Sequence, residues 1–209
     1  MNFFTACKIA DTLWSYKKEL FYVSLTFLLV SLLPFIAVLV IANTGIQLVS
    51  DQLVGINATT HQVEIHDPTG KVVANIDAAT VWPVKGVITL EFGEIDLPYQ
   101  PFHTGIDIAN SQGHIGDPIT PFMKGKVIYA DEISWGYGKH VIIDNGNNIT
   151  SIYAHLSKIN VKKDQEVNPG DVIGLEGQTG WATGPHLHFQ INVFGIPVNP
   201  RVFLGQGNP

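Results

Sequence analysis

Hydrophobic and polar positions divide this chain into two regimes. From Leu20 to Ala42 the residues are almost continuously apolar, and no charge occurs anywhere from residue 20 to residue 50. Those 23 residues make a helix of about 34 Å, against a hydrocarbon core of ~30 Å, so the pattern predicts one membrane span. Pro34 falls inside it, and Ser24, Thr26 and Ser31 are placed to bond back to the helix backbone. Beyond about residue 60 the period changes to two. Val63 and Ile65 alternate with polar residues, Asp67-Pro68-Thr69-Gly70 has turn chemistry and Val72 to Ile76 is apolar again, which predicts a small hairpin over 61–76.

From Trp82-Pro83 onward, short runs rich in Val, Ile and Tyr recur between clusters of Gly, Pro, Asn and Asp. They lie at Val87–Phe92, Gly105–Ala109, Lys126–Ala130, His140–Asp144, Ile149–Ala154, Asp171–Leu175 and His186–Phe194. No helical segment of useful length interrupts them. The expected fold is mainly β, an antiparallel sandwich or partly open barrel with Gly-rich loops at one edge, preceded by one transmembrane helix and a hairpin-bearing stalk. The expected division is a cytoplasmic segment 1–19, the span 20–42, a stalk 43–81, the β domain 82–205 and a tail 206–209.

Charge orients this layout. Lys8, Lys17 and Lys18 precede the span and no Lys or Arg follows until Lys71, so the bias of positive residues keeps the N-terminus in the cytoplasm and sends the β domain outside. A cleaved signal peptide is the competing reading, with Val40-Ile41-Ala42 resembling its cleavage site, but its apolar region would be only ~7–15 residues long. Phe3, Phe4, Trp14 and Tyr16 fit an aromatic belt at the interface. The single cysteine, Cys7, permits no intrachain disulfide, and the net charge of −6 argues against a nucleic-acid partner.

The candidate chemistry is carried by histidines. His186-Leu187-His188 puts two imidazoles on one face of an extended strand. His103 and Asp107, an even four residues apart, also share a face, and His155 closes the run Ile149–Ala154. Four of the eight histidines thus lie in three short stretches. His61 and His66 belong to the hairpin and have no acidic or His partner at suitable spacing. A hydrolytic zinc site needs three protein ligands, an open position and a group that manages protons. His103, Asp107, His155, His186 and His188 supply enough for both jobs, but spacing does not say which of His186 and His188 would hold the metal.

H-x-G-x-D at His103 to Asp107, Y-A-H-L at Tyr153 to Leu156 and T-G-P-H-L-H-F at Thr183 to Phe189 resemble the motifs of LytM/lysostaphin-type zinc metallopeptidases, metallopeptidase family twenty-three. Trp82 to Thr89 with Phe92-Gly93, Trp135-Gly136-Tyr137-Gly138 and Val167 to Gly174 are similar to that family as well, so the resemblance covers about residues 80–205. It implies Zn2+ held by His103, Asp107 and His188 with a water in the fourth place, and it makes His155 and His186 the catalytic pair. It further implies hydrolysis of peptide bonds in peptidoglycan stems or cross-bridges. A membrane-anchored endopeptidase acting outside the cytoplasmic membrane follows, with a non-hydrolytic envelope regulator or wall-binding module on the same fold as the alternative. Two positions depart from the family's frequent residues, Asp144-Asn145-Gly146 in place of an Asp-His-Gly turn and Gln190 in place of Glu.

Overall fold

The computed structural model of the chain describes residues 3–77, 81–95 and 101–204. The expected tail at 206–209 and the side chains of Phe3, Phe4 and Cys7 lie outside the described residues. The chain divides into two compact units, Met1–Thr44 and Gly45–Pro209.

The first unit is helix. α1 runs Phe3–Leu53, with Pro34 inside it. Its window Tyr16–Val38 is long and apolar enough to cross a membrane, a few residues earlier than the expected 20–42. Ser31 Oγ donates to Leu28 O at 2.8 Å, the back-bond that lets a hydroxyl sit in an apolar helix.

In the second unit the helix gives way to β1 (Val54–Ile56), which pairs with the expected hairpin, β2 (Val63–His66) and β3 (Val72–Ile76), to make a three-stranded sheet. The hairpin turns where the sequence says. Asp67 Oδ1 accepts from Thr69 N at 2.8 Å and Lys71 N at 3.1 Å, and Gly70 takes φ 86. The segment 43–60 is more structured than a stalk or a fraying helix end. Leu53, Val54, Val63 and Ile65 are buried in one cluster with the β domain's own core, and Ser50 Oγ accepts from Asn199 N at 3.3 Å.

The remaining strands are β4 (Val87–Leu90), β5 (Ile106–Ala109), β6 (Pro118–Ile119), β7 (Gly125–Glu132) and β8 (Lys139–Gly146), then β9 (Ile149–Ala154), β10 (Lys158–Ile159) and β11 (Glu166–Val167). β12 (Gly174–Leu175), β13 (Leu187–Val193) and β14 (Ile196–Val198) follow, with a one-turn helix α2 (Arg201–Leu204) after them. Asn199 caps that helix, its Oδ1 accepting from Arg201 N at 3.0 Å. Eight strands form one antiparallel sheet in the order β11-β7-β8-β9-β13-β5-β4, with β14 on β13, and β10-β12-β6 form a small third sheet. Among the described residues the architecture is antiparallel and open, with no closed barrel.

One local expectation moves: of the run Asp171–Leu175 only Gly174 and Leu175 pair as strand. Between β8 and β9 the chain turns at Asn147 and Asn148 with φ 51 and 61, the conformation that a two-residue hairpin demands. Asn145 instead points inward, donating to Met123 O and Lys124 O and accepting from Ser151 Oγ at 2.8 Å.

β13 is the axis of the domain. Leu187, Phe189, Ile191 and Val193 on its inner face are fully buried, with Phe189 packed edge-on to Phe122 at 5.5 Å and tilted against Tyr153 at 5.3 Å. Tyr153 OH, itself buried, accepts from Phe122 N at 3.0 Å. By strand alternation the opposite face carries His188 and Gln190.

Candidate metal centre and groove

Strand register assembles the site. In the sheet β13 lies between β5 and β9, and His188 pairs with Asp107 on one side and with Ala154 on the other. His103 sits four residues before Asp107, and His155 directly follows Ala154, so residues far apart in sequence meet at one end of three adjacent strands. Gly105 is needed for that approach. A Cβ there would stand 2.3 Å from Phe189 O and 3.0 Å from the His188 ring.

His103 Nε2 lies 3.0 Å from Asp107 Oδ1 and 3.0 Å from His188 Nδ1, which is 2.9 Å from the same Asp107 oxygen. Backbone and side-chain acceptors behind the rings define the tautomers. His103 Nδ1–H donates to Glu91 O at 3.1 Å, and His188 Nε2–H donates to Gln190 Oε1 at 3.4 Å. What remains facing inward is two imidazole lone pairs and a carboxylate oxygen, three acceptors in a triangle of about 3 Å with no proton to share among neutral rings. Such a triangle is repulsive by itself and fits a cation. A tetrahedral ion with bonds of ~2.0–2.1 Å holds its ligand atoms about 3.3 Å apart, close to the observed edges.

His155 and His186 stand beside this triangle, their rings 4.7 Å apart. His186 Nδ1–H donates to Gly184 O at 2.9 Å and its Nε2 lies 3.5 Å from Asp107 Oδ2. His155 Nδ1–H donates to Thr179 O at 2.8 Å, which leaves its Nε2 as an acceptor. Burial, with the neighbouring His188 and His186 imidazoles, pulls His155 down to about 3, so it is neutral near pH 7. The structure brings all five residues to one groove, with the H-x-H pair on a shared face. The hydrogen-bond partners behind them are set by the fold and not by local spacing. Gln190 Oε1 accepts from Thr104 Oγ1 at 2.6 Å and Tyr137 OH at 2.8 Å as well as from His188, and its Nε2 donates to Asn192 Oδ1 at 2.7 Å. Gln190 therefore stands directly behind His188, where a Glu would have added a charge. His61 and His66 remain with the β1–β2–β3 sheet, outside the lining of the groove.

The five residues open into a groove of about 600 Å³ whose walls include Thr89, Leu90, Ile133, Trp135, Tyr137 and Trp181. That is the size and mixed character of a substrate site, apolar walls with a few convergent polar groups.

Comparison with known proteins agrees with this geometry. Residues 101–200 match the model of peptidase family M23. The peptidoglycan DD-endopeptidase ShyA of Vibrio cholerae is 44% identical over 97 residues, 46% of this chain and 22% of that protein. The murein hydrolase activator NlpD of Escherichia coli is 36% identical over 125 residues, 60% of this chain and 31% of that protein. The match thus spans less than a third of either relative. Among solved structures, a mutant catalytic domain of the prophage-encoded M23 protein EnpA from Enterococcus faecalis superposes with a TM-score of 0.52 at 34% identity, covering 59% of this chain and 95% of that one. Fold, motifs and site place this chain in peptidase family M23, the LytM/lysostaphin type.

Proposed function

We propose that this protein is a membrane-anchored zinc endopeptidase that hydrolyses peptide bonds of bacterial peptidoglycan. One observation carries the reading. Three inward-facing acceptors from His103, Asp107 and His188 form a cation-sized triangle, and two further imidazoles are left over for proton handling. A structural zinc site would close a four-ligand shell and leave none.

His103, Asp107 and His188 would hold the Zn2+. Bound there, zinc supplies Lewis-acid polarisation of the scissile carbonyl and eases deprotonation of the attacking water. The chain's own residues do the rest. His155 presents a neutral Nε2 that takes the proton, and because burial disfavours its imidazolium it passes that proton on to the leaving amine. His186, tied to Gly184 O through Nδ1–H and lying 3.5 Å from Asp107 Oδ2 through Nε2, would stabilise the charge that develops on the carbonyl oxygen when it carries a second proton, on Nε2. Tyr137 and Thr104 brace Gln190, which fixes the ring of His188. The apolar window Tyr16–Val38 would tether the domain to the cytoplasmic membrane with the groove outside.

The relative named as a murein hydrolase activator favours a second reading, a regulator that binds the wall without cutting it. The retained set of five residues weighs against it. Incubating the full chain with defined cross-linked peptidoglycan, and identifying released fragments by mass spectrometry, separates the two. Cleaved cross-links that disappear on chelation and return with zinc are expected. Intact cross-links with the zinc-loaded chain, together with stimulation of an added murein hydrolase, would establish the regulator instead.

A further inference from the structure

The tryptophans of the groove wall have no part in the chemistry above. Trp135 and Trp181 are 61% and 52% exposed, yet their indoles pack together with ring centroids 6.1 Å apart and planes at 51°. Backbone holds them there. Trp181 N donates to Gly136 O at 2.8 Å, and Gly138 N donates to Trp135 O at 3.2 Å. The two loops touch so closely that a Cβ on Gly138 would fall 2.4 Å from the backbone of Thr179, and one on Gly180 would fall 2.2 Å from Gly136 O. Single exposed apolar side chains are ordinary. Two large aromatic rings set side by side by interlocked loops, in the wall of a reaction groove, form a preorganised contact surface.

We propose that Trp135 and Trp181 form a carbohydrate subsite, which stacks the apolar face of a pyranose ring in the glycan strand whose peptide lies over the histidines. The proposal rests on the reading of the groove as a peptidoglycan site. A stem peptide offers small methyl groups and carboxylates, which give two indoles little area to cover. A pyranose ring with equatorial substituents presents a flat array of C–H groups of about indole size, and their positive edge matches the negative face of the ring. Aromatic platforms also lose little side-chain entropy on binding, because two torsions fix them. The competing ligand in the same polymer is the ammonium of a diamino acid in the stem, held by cation–π attraction.

Calorimetric titration of the full chain, in micelles of a sugar-free detergent, tests the assignment with two probes: peptide-free glycan strands and sugar-free stem tetrapeptides containing the diamino acid. The wild-type chain is expected to bind the strands. Trp135→Ala and Trp181→Ala should each weaken that binding about tenfold, while Trp135→Phe and Trp181→Phe keep most of it and report that the loops remain folded. Strand affinity that is absent, or equal in the wild type and the Trp135→Ala/Trp181→Ala double variant, overturns the subsite. So does a loss confined to the tetrapeptide, which would assign the indoles to the ammonium. Cleavage of a sugar-free cross-linked dimer by the same wild-type preparation reports on the hydrolase reading separately: failure there with strand binding intact refutes the hydrolase and not the subsite.

Discussion

At His155 the backbone takes φ 61, a left-handed conformation that costs a non-glycine residue about 1–2 kcal/mol. The strain is held by bonds on every side, His155 N to Tyr137 O at 2.9 Å and the ring Nδ1 to Thr179 O at 2.8 Å, and its result is an imidazole turned out of β9 into the groove. Glu176 is a different kind of exception. It is fully buried, and among the described residues one carboxylate oxygen has no hydrogen-bond partner while the other receives Asn110 N at 3.4 Å. Burial, reinforced by the charge of Asp117, pushes its carboxyl up from the ordinary value. The folded chain therefore holds that proton more tightly than the unfolded chain does. Stability from this group is present below the unfolded pKa and is lost as pH rises through the folded one. Glu176→Gln should raise the stability of the domain at pH 7.5 by roughly 1 kcal/mol, a gain that vanishes near pH 4. Thermal unfolding at the two pH values checks it, and an unchanged or lower midpoint at pH 7.5 would refute the account. Neither residue was legible beforehand in this respect. The motif names His155 but not its φ, and nothing in the local pattern marks Glu176, whose contacts come from the loop Asn110 to Asp117.

Among the elements, β13 was the most legible, because its alternation of Leu187, Phe189, Ile191 and Val193 with polar residues states both its period and its buried face. Register was not. That His188 stands opposite Asp107 depends on partners 81 residues apart, and no local pattern encodes it. The two-residue strands β6, β10, β11 and β12 were mostly invisible for the opposite reason, being too short to carry a period. In the segment after the apolar stretch polar and apolar residues mix without an obvious period, so the pattern does not announce that Leu53 and Val54 reach the core. For α1 the expectation of a span and of its orientation rests on an apolar window with Lys17 and Lys18 on one side and no Lys or Arg until Lys71 on the other. Protease added outside spheroplasts should remove everything beyond about residue 43. Full protection of the β domain would contradict the outward orientation.

On the scale of the whole molecule, one antiparallel sheet brings five side chains from three sequence stretches to one groove, and partners in the flanking loops and on β13 orient each ring. The division of labour among those five is the central claim. His188 Nδ1 faces Asp107 and His103, whereas the rings of His155 and His186, held through Nδ1 by Thr179 O and Gly184 O, line the groove beside them. Zinc content and peptidoglycan turnover, measured together on single preparations of the wild type and of His188→Ala, His155→Ala and His186→Ala, test that division most directly. The account predicts that His188→Ala loses zinc and activity together, while His155→Ala and His186→Ala keep one zinc per chain and lose ~10²-fold or more in turnover. Undiminished zinc in His188→Ala, or parental turnover in either of the other two, would contradict it.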